Sequence, residues 1–184
     1  PHVQEKFVEQ QVKKMNSEQE YAFNTIVKSL YSEKDNITSN INLKKKNNNL
    51  FFLQASAGTG KTFVAKAIAA HVRSKGDICL CNATSGIAAN LFDGGRTMHS
   101  RFNIPLNVKQ DANIRIKKGT AKAKLIQQAK LIIWDEAPMA HKNMLHYLDK
   151  QLRDITGNNK IFGGKMLLLC GDFCQLPPVI TESY

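Results

Sequence analysis

A lysine and a threonine set directly behind two closely spaced glycines are suited to gripping phosphate, and residues 55–62 supply them as Ala-Ser-Ala-Gly-Thr-Gly-Lys-Thr. The run fits G-x-x-x-x-G-K-[ST] with Ala55 in place of the first glycine, a turn that alanine can make at negative φ. In such a loop the backbone N–H groups of Ala57, Gly58, Thr59 and Gly60 converge on phosphate oxygens, and the two glycines permit the tight curl. Lys61 would reach the β and γ phosphates of a nucleotide as a point charge, and Thr62 would offer its hydroxyl to Mg²⁺. Farther along, the apolar run Leu131-Ile-Ile-Trp134 ends in Asp135-Glu136. With a phosphate loop upstream, Asp135 is expected to hold Mg²⁺ through its water shell and Glu136 to take a proton from attacking water. Taken alone, Asp-Glu after a strand is also a common way to start a helix. Gln175, in Gly171-Asp-Phe-Cys-Gln175, carries an amide able to sense a γ-phosphate and orient water. The same stretch, followed by Pro177 and Pro178, also reads as an ordinary turn.

These groups act together only if the fold brings them to one edge. Residues 50–54 form a short apolar run of strand length just before the loop, and residues 62–74 follow with Val64, Ala65, Ile68 and Ala69 at helical spacing. Residues 78–82 are strand-like, 86–92 helical, 131–134 a buried strand, 143–155 a helix and 165–170 another buried strand. Four near-continuous apolar runs separated by helices predict an α/β fold with a mostly parallel sheet and helices on both faces. Ligands of such sheets sit beyond the carboxyl ends of the strands, where the loop and Asp135-Glu136 both fall. Upstream, Asn16 or Ser17 can cap a helix bearing Tyr21, Ala22, Ile26, Val27 and Leu30 at helical spacing. Residues 1–14 are an N-terminal extension, and residues 35–49, with Lys44, Lys45 and Lys46 among asparagines, predict a mobile, solvated insertion.

Length and charge narrow the function classes. At 184 residues the chain is one domain, and 42% hydrophobic with 22% charged residues excludes a disordered tail. No apolar run approaches the ~18 residues of a membrane span. Lys and Arg number 26 against 15 Asp and Glu, a net charge of +11 that favours a polyanion, nucleic acid first. Within residues 109–124, Lys109, Arg115, Lys117, Lys118, Lys122 and Lys124 form a basic run that reads either as a solvated face or as part of such a contact. Cys79, Cys81, Cys170 and Cys174, in or beside apolar runs, read as reduced core thiols. A zinc site built from them is disfavoured on the reading that Cys79 and Cys81 aim their sulfurs at opposite faces of a strand. The chain does not begin with Met, as expected for a piece of a longer protein.

Six segments stand in a recognisable order: Asn16-Ser-Glu-Gln19, Ala57-Gly-Thr-Gly-Lys-Thr62, Ala83-Thr-Ser-Gly-Ile-Ala-Ala89, Gly95-Arg-Thr-Met-His-Ser100, Asp135-Glu-Ala-Pro-Met139 and Gly171-Asp-Phe-Cys-Gln175. Across residues 15–179 the sequence resembles the PIF-one family of superfamily one DNA helicases and the related Helitron transposon helicases. The resemblance implies that residues 15–184 form a RecA-like phosphate-loop domain. It would be the first motor domain of an ATP-dependent helicase moving 5′ to 3′ on single-stranded DNA, with ATP and Mg²⁺ as cofactors. It further implies that Gln19 reads adenine and that Thr84, Ser85 and Gly86 grip DNA phosphates. His99, Ser100 and Phe102 resemble a second DNA-contacting segment, where a ring can stack on a base, although core packing would equally account for Phe102. Cys174 stands where this family often carries a larger or basic residue.

A second RecA-like domain and its arginine finger are expected outside the chain, which stops soon after the glutamine segment. Lacking that arginine, the motif set would turn over roughly 10³–10⁵ more slowly. The implied location is nucleus or mitochondrion. Two other readings stay open from the residues: an AAA-type or other phosphate-loop ATPase, against which residues 95–100 and 171–175 argue, and a module that binds nucleotide or DNA without turnover.

Overall fold

The computed structural model describes residues 2–31, 49–56, 58–109 and 111–175. The apolar run before the phosphate loop forms strand β1 (Leu50–Gln54), followed along the chain by β2 (Cys79–Ala83), β3 (Arg96–Thr97), β4 (Leu131–Asp135) and β5 (Met166–Gly171). They make one sheet in the order β1-β5-β4-β2-β3, and the paired strands all run parallel. Helices α1 (His2–Val12), α2 (Ser17–Tyr31), α3 (Lys61–Ser74), α4 (Gly86–Ala89), α5 (Met98–Phe102), α6 (Ala121–Gln128) and α7 (Lys142–Thr156) complete the chain order.

Alternation along the strands builds two cores. Leu131 and Ile133 of β4 join Cys79, Cys81, Leu168 and Cys170 on one face, beneath Val64, Ile68 and Val72 of α3 and Phe23, Ile26 and Leu30 of α2. Ile132 and Trp134 join Leu80, Leu167 and Leu169 on the other, beneath Phe102, Ile126, Leu148 and Leu152. Both faces of β2, β4 and β5 are therefore covered, which is why these strands read as unbroken apolar runs. The alternation also corrects the expectation for the C-x-C pair. Residues two apart on a strand share a face, so Cys79 and Cys81 point the same way, their sulfurs 4.0 Å apart, and Cys174, past the end of β5, is exposed instead of lying in the core.

Several elements differ from the sequence reading. β1 is not enclosed: it is an edge strand among the described residues, with Phe52 stacked on Phe173 at 4.9 Å. The helix expected over residues 86–92 stops at Ala89, where Leu91 and Phe92 donate to the carbonyls three residues back and tighten the chain ahead of β3. The extension contains α1, which contributes Val8 to the α3-side core. The basic run ends in the first turn of α6, which is capped by the Thr120 hydroxyl on Ala123 N–H. The insertion over residues 35–49 lies outside the described residues apart from Asn49. Among the described residues no helix is long and apolar enough to cross a membrane.

Candidate nucleotide site

α2 begins with a reciprocal cap. The Asn16 side chain accepts from Gln19 N–H at 2.9 Å, and Gln19 Oε1 accepts from Asn16 N–H at 3.1 Å, which satisfies two helix-end donors. This geometry aims the other end of the Gln19 amide at the phosphate loop, where Nε2 donates to Thr59 O at 2.9 Å. Gly60 must be glycine here. Its φ is +90°, and a Cβ would stand 2.6 Å from Gln19 Nε2. Across the loop, Lys61 Nζ donates to Ala55 O at 2.6 Å and to Ser56 O at 2.7 Å. An ammonium has three protons, so one donor remains. Ala57 lies outside the described residues, while Gly58 takes φ +75° and Thr59 Oγ1 donates to Ser56 O at 2.8 Å.

The sheet delivers the carboxylates beside this loop. Thr62, in the first turn of α3, donates its hydroxyl to Asp135 Oδ2 at 3.1 Å. Asp135 closes β4 and is only 5% exposed. Burial pushes its carboxyl above the usual range, against the pull of hydrogen bonds from Glu136 N–H and the Thr62 hydroxyl. A hydroxyl and a carboxylate oxygen at this separation form the hard-oxygen pair that suits Mg²⁺, which keeps most of its waters and takes few protein ligands.

Glu136 follows in a left-handed conformation with φ 56°, uncommon for a residue with a side chain. It is held on both sides. Its N–H donates to Asp135 Oδ1 at 2.9 Å, and its carbonyl accepts from Thr84 Oγ1 at 2.8 Å. Register explains the second contact: β2 pairs with β4 so that Ala83 faces Asp135, which sets Thr84 opposite Glu136. Thr84 Oγ1 also accepts from Trp134 Nε1 at 3.0 Å, giving the buried indole the partner it needs. Ser85 then donates to Glu136 Oε2 from Oγ at 2.6 Å and from N–H at 3.3 Å. Beyond Glu136, Pro138 packs where a Cβ on Gly171 would be, 2.2 Å from Pro138 Cδ, so the β4 exit and the β5 exit are locked together. Gln175 ends the turn Phe173–Gln175 just past β5, and its side chain is not among those described.

The two segments expected to meet DNA are placed differently. Gly86 is exposed and the neighbouring Ile87 is 84% exposed, whereas Thr84 and Ser85 are half-buried against Glu136. In the second segment Ser100 is exposed and His99 half-buried, its Nδ1 3.0 Å from Ile104 O. Phe102 is 0% exposed inside the core with Met98 and Ile126, so its expected stacking on a base is corrected to core packing. Lys122, from the basic run, bonds Ser100 O at 3.1 Å and Asn103 Oδ1 at 2.6 Å and so pins this segment to α6.

The model of the PIF1-like helicase family matches residues 14–184. The chain belongs to that family. It is 32% identical to the ATP-dependent DNA helicase PIF1 of Candida albicans over 136 residues, 72% of this chain and 15% of that protein. It is 34% identical to human PIF1 over 135 residues, again 72% of this chain and 20% of that protein. The Candida albicans Pif1 crystal structure superposes with a TM-score of 0.70 at 29% identity, over 90% of this chain and 34% of that one. Bacteroides Pif1 in complex with ADP-AlF3 and ssDNA gives a TM-score of 0.69 at 29% identity, over 91% of this chain and 34% of that one. The chain thus spans 15–22% of the length of the curated relatives it matches. Membership in the PIF1-like family sets aside the AAA-type reading and makes the sheet a RecA-like domain. Two participants escaped the sequence reading: Trp134, whose burial beside Asp135 signalled an indole in need of a partner, and Pro138, whose fit to Gly171 has no sequence signal.

Proposed function

We propose that this chain is the ATP-binding first motor domain of an ATP-dependent DNA helicase that moves 5′ to 3′ on single-stranded DNA. The observation that carries the reading is the 3.1 Å contact between Thr62 Oγ1 and Asp135 Oδ2 beside the Lys61 loop. It joins the two residue types that hold Mg²⁺ around a phosphate-binding turn, with Glu136 next in the chain. Thr62 and Asp135 hold the ion, Lys61 meets the phosphates, and Gln19 meets the adenine by exchanging its bond to Thr59 O for one to the base. Mg²⁺ supplies charge neutralisation at the phosphates when bound. Glu136 accepts the proton of the attacking water, and Gln175 orients that water. Single-stranded DNA meets Thr84, Ser85, Gly86, His99 and Ser100, and the net charge of +11 draws the polyanion in. A second RecA-like domain of the longer protein completes the cleft with its arginine, and the protein works in the nucleus or mitochondrion.

The test is ATP hydrolysis by the full-length protein with and without single-stranded DNA, together with unwinding of duplexes carrying a 5′ or a 3′ single-stranded tail. Hydrolysis stimulated by DNA, unwinding from the 5′ tail, and loss of both in Lys61→Ala are expected. The isolated chain should hydrolyse ATP roughly 10³–10⁵ more slowly than the full-length protein. Unwinding from the 3′ tail, or hydrolysis indifferent to DNA, would overturn the reading.

A further inference from the structure

The carboxylate assigned to the attacking water is engaged elsewhere. Glu136 Oε2 accepts two hydrogen bonds from a single residue, Ser85, at 2.6 Å from Oγ and 3.3 Å from N. In the sheet order β2 lies on one side of β4, and β5 and then β1 lie on the other. A carboxylate reaching Ser85, just past β2, therefore leans away from the β1 side, where the phosphate loop begins. The backbone of Glu136 cannot easily follow a different course, because Asp135 Oδ1, the Thr84 hydroxyl and Met139 N–H fix its N–H and carbonyl. Repositioning the carboxylate is thus a side-chain rotation, and its cost is the loss of Ser85's two donors.

Those two donors sit at the rim of the segment assigned to DNA. Gly86 and Ile87, the next residues, are exposed. The Ser85 hydroxyl has one proton, donated in a hydrogen bond to Glu136, while its oxygen also accepts from Ala88 N–H at 3.2 Å to cap α4. A hydroxyl and a backbone N–H on one residue suit any singly charged oxygen acceptor, and a phosphodiester oxygen is such an acceptor. Glu136 and a DNA phosphate are therefore alternative partners for the same pair of donors.

We propose that Ser85 is a positioning residue that holds Glu136 turned from the phosphate loop, and that a DNA phosphodiester taking Ser85's donors releases it. This rests on the functional reading above and adds the link by which DNA binding at one strand end governs hydrolysis at the next. Ser85 acts through Glu136, the group it bonds. Its effect is on the rate without DNA, because that is the state in which it restrains Glu136.

The experiment is steady-state ATP hydrolysis by the full-length protein, measured with and without an oligothymidine long enough to saturate it, for the parent and for Ser85→Ala, Ser85→Asp and Ser85→Thr. Ser85→Ala removes the hydroxyl donor and the cap together, whereas Ser85→Asp keeps a cap acceptor for Ala88 N–H but has no side-chain proton to donate to Glu136; both keep the backbone N–H bond. Both should raise the DNA-free rate by about tenfold, the rate equivalent of one hydrogen bond to a charged group, and should compress the DNA-stimulated to DNA-free ratio. Ser85→Thr, which keeps the hydroxyl, should retain the parent ratio. If Ser85 served only to cap α4, Ser85→Asp would behave like the parent, and that result would overturn the proposal. Unchanged ratios in both Ala and Asp variants, or equal losses with and without DNA, would also overturn it. A parent without DNA-stimulated hydrolysis would instead reject the functional reading, a failure seen before any variant is made.

Discussion

Residues 84–86 and residues 99–102 share one expectation, contact with DNA, and the fold holds them by opposite means. The first segment leaves β2 beside β4 and is fastened by polar contacts: Thr84 to the Glu136 carbonyl, Ser85 to the Glu136 carboxylate. The second is rooted by apolar burial through Met98 and Phe102, and its polar ties, from Lys122 to Ser100 O and from Arg101 to Asn82 and Gly94, do not reach Glu136; only Ser100 is fully at the surface. Signalling can start at the first segment and not at the second. A segment wired to Glu136 can pass on what binds it, whereas a segment rooted in the core can only offer a surface.

The largest effect expected from this contrast is on stability. Phe102→Ala removes a fully buried ring and should cost about 3–5 kcal/mol in urea unfolding. Affinity of the folded protein for single-stranded DNA should remain near the parent's, and Ser100→Ala should do no more to stability than about ±0.5 kcal/mol. A Phe102→Ala protein of parental stability that had lost DNA binding would break the contrast and restore the stacking role.

A smaller effect, of defined sign, is expected at the polar side. Burial raises the Asp135 carboxyl above its usual range, so folding favours its protonated form. Stability from this group is therefore highest below the ordinary carboxylate range and falls as pH rises through Asp135's own, elevated value. Asp135→Asn removes that loss. Without nucleotide, the variant's melting temperature at neutral pH should be equal to or above the parent's, and its advantage should shrink on acidification. Stabilisation by Mg²⁺ with ADP should disappear. A variant that melts lower at neutral pH and recovers in acid would reverse the assigned sign.

How far these features were legible follows from what each depends on. The phosphate loop and the strand ending in Asp135 are local patterns, and residue type and spacing suffice to place them. The two-faced parallel sheet was likewise readable, because burial on both sides leaves unbroken apolar runs. The meeting of Thr84 with Glu136 was not, since it depends on β2 pairing with β4 in the register Ala83 to Asp135, across some fifty intervening residues. Phe102 looked equally fit for base or core because its burial is decided by α6 and α7, and α6 was itself hidden within a run of lysines. The C-x-C pair was misread although strand periodicity alone puts residues two apart on one face. Gln19 meets the loop at Thr59 O and is aimed there by a cap on Asn16, contacts that its expected adenine role did not anticipate.

On the proposed reading Asp135 and Glu136, neighbours in the chain, divide the work, one holding the ion and the other moving the proton. Glu136→Gln in the full-length protein separates the two roles when nucleotide affinity and single-turnover hydrolysis are measured side by side. The amide keeps the shape and the bonds from Ser85 but cannot take a proton. Affinity for ATP with Mg²⁺ should stay close to the parent's while hydrolysis falls by about 10²–10⁴. Hydrolysis at the parent rate, or a loss of affinity matching the loss of rate, would contradict the account.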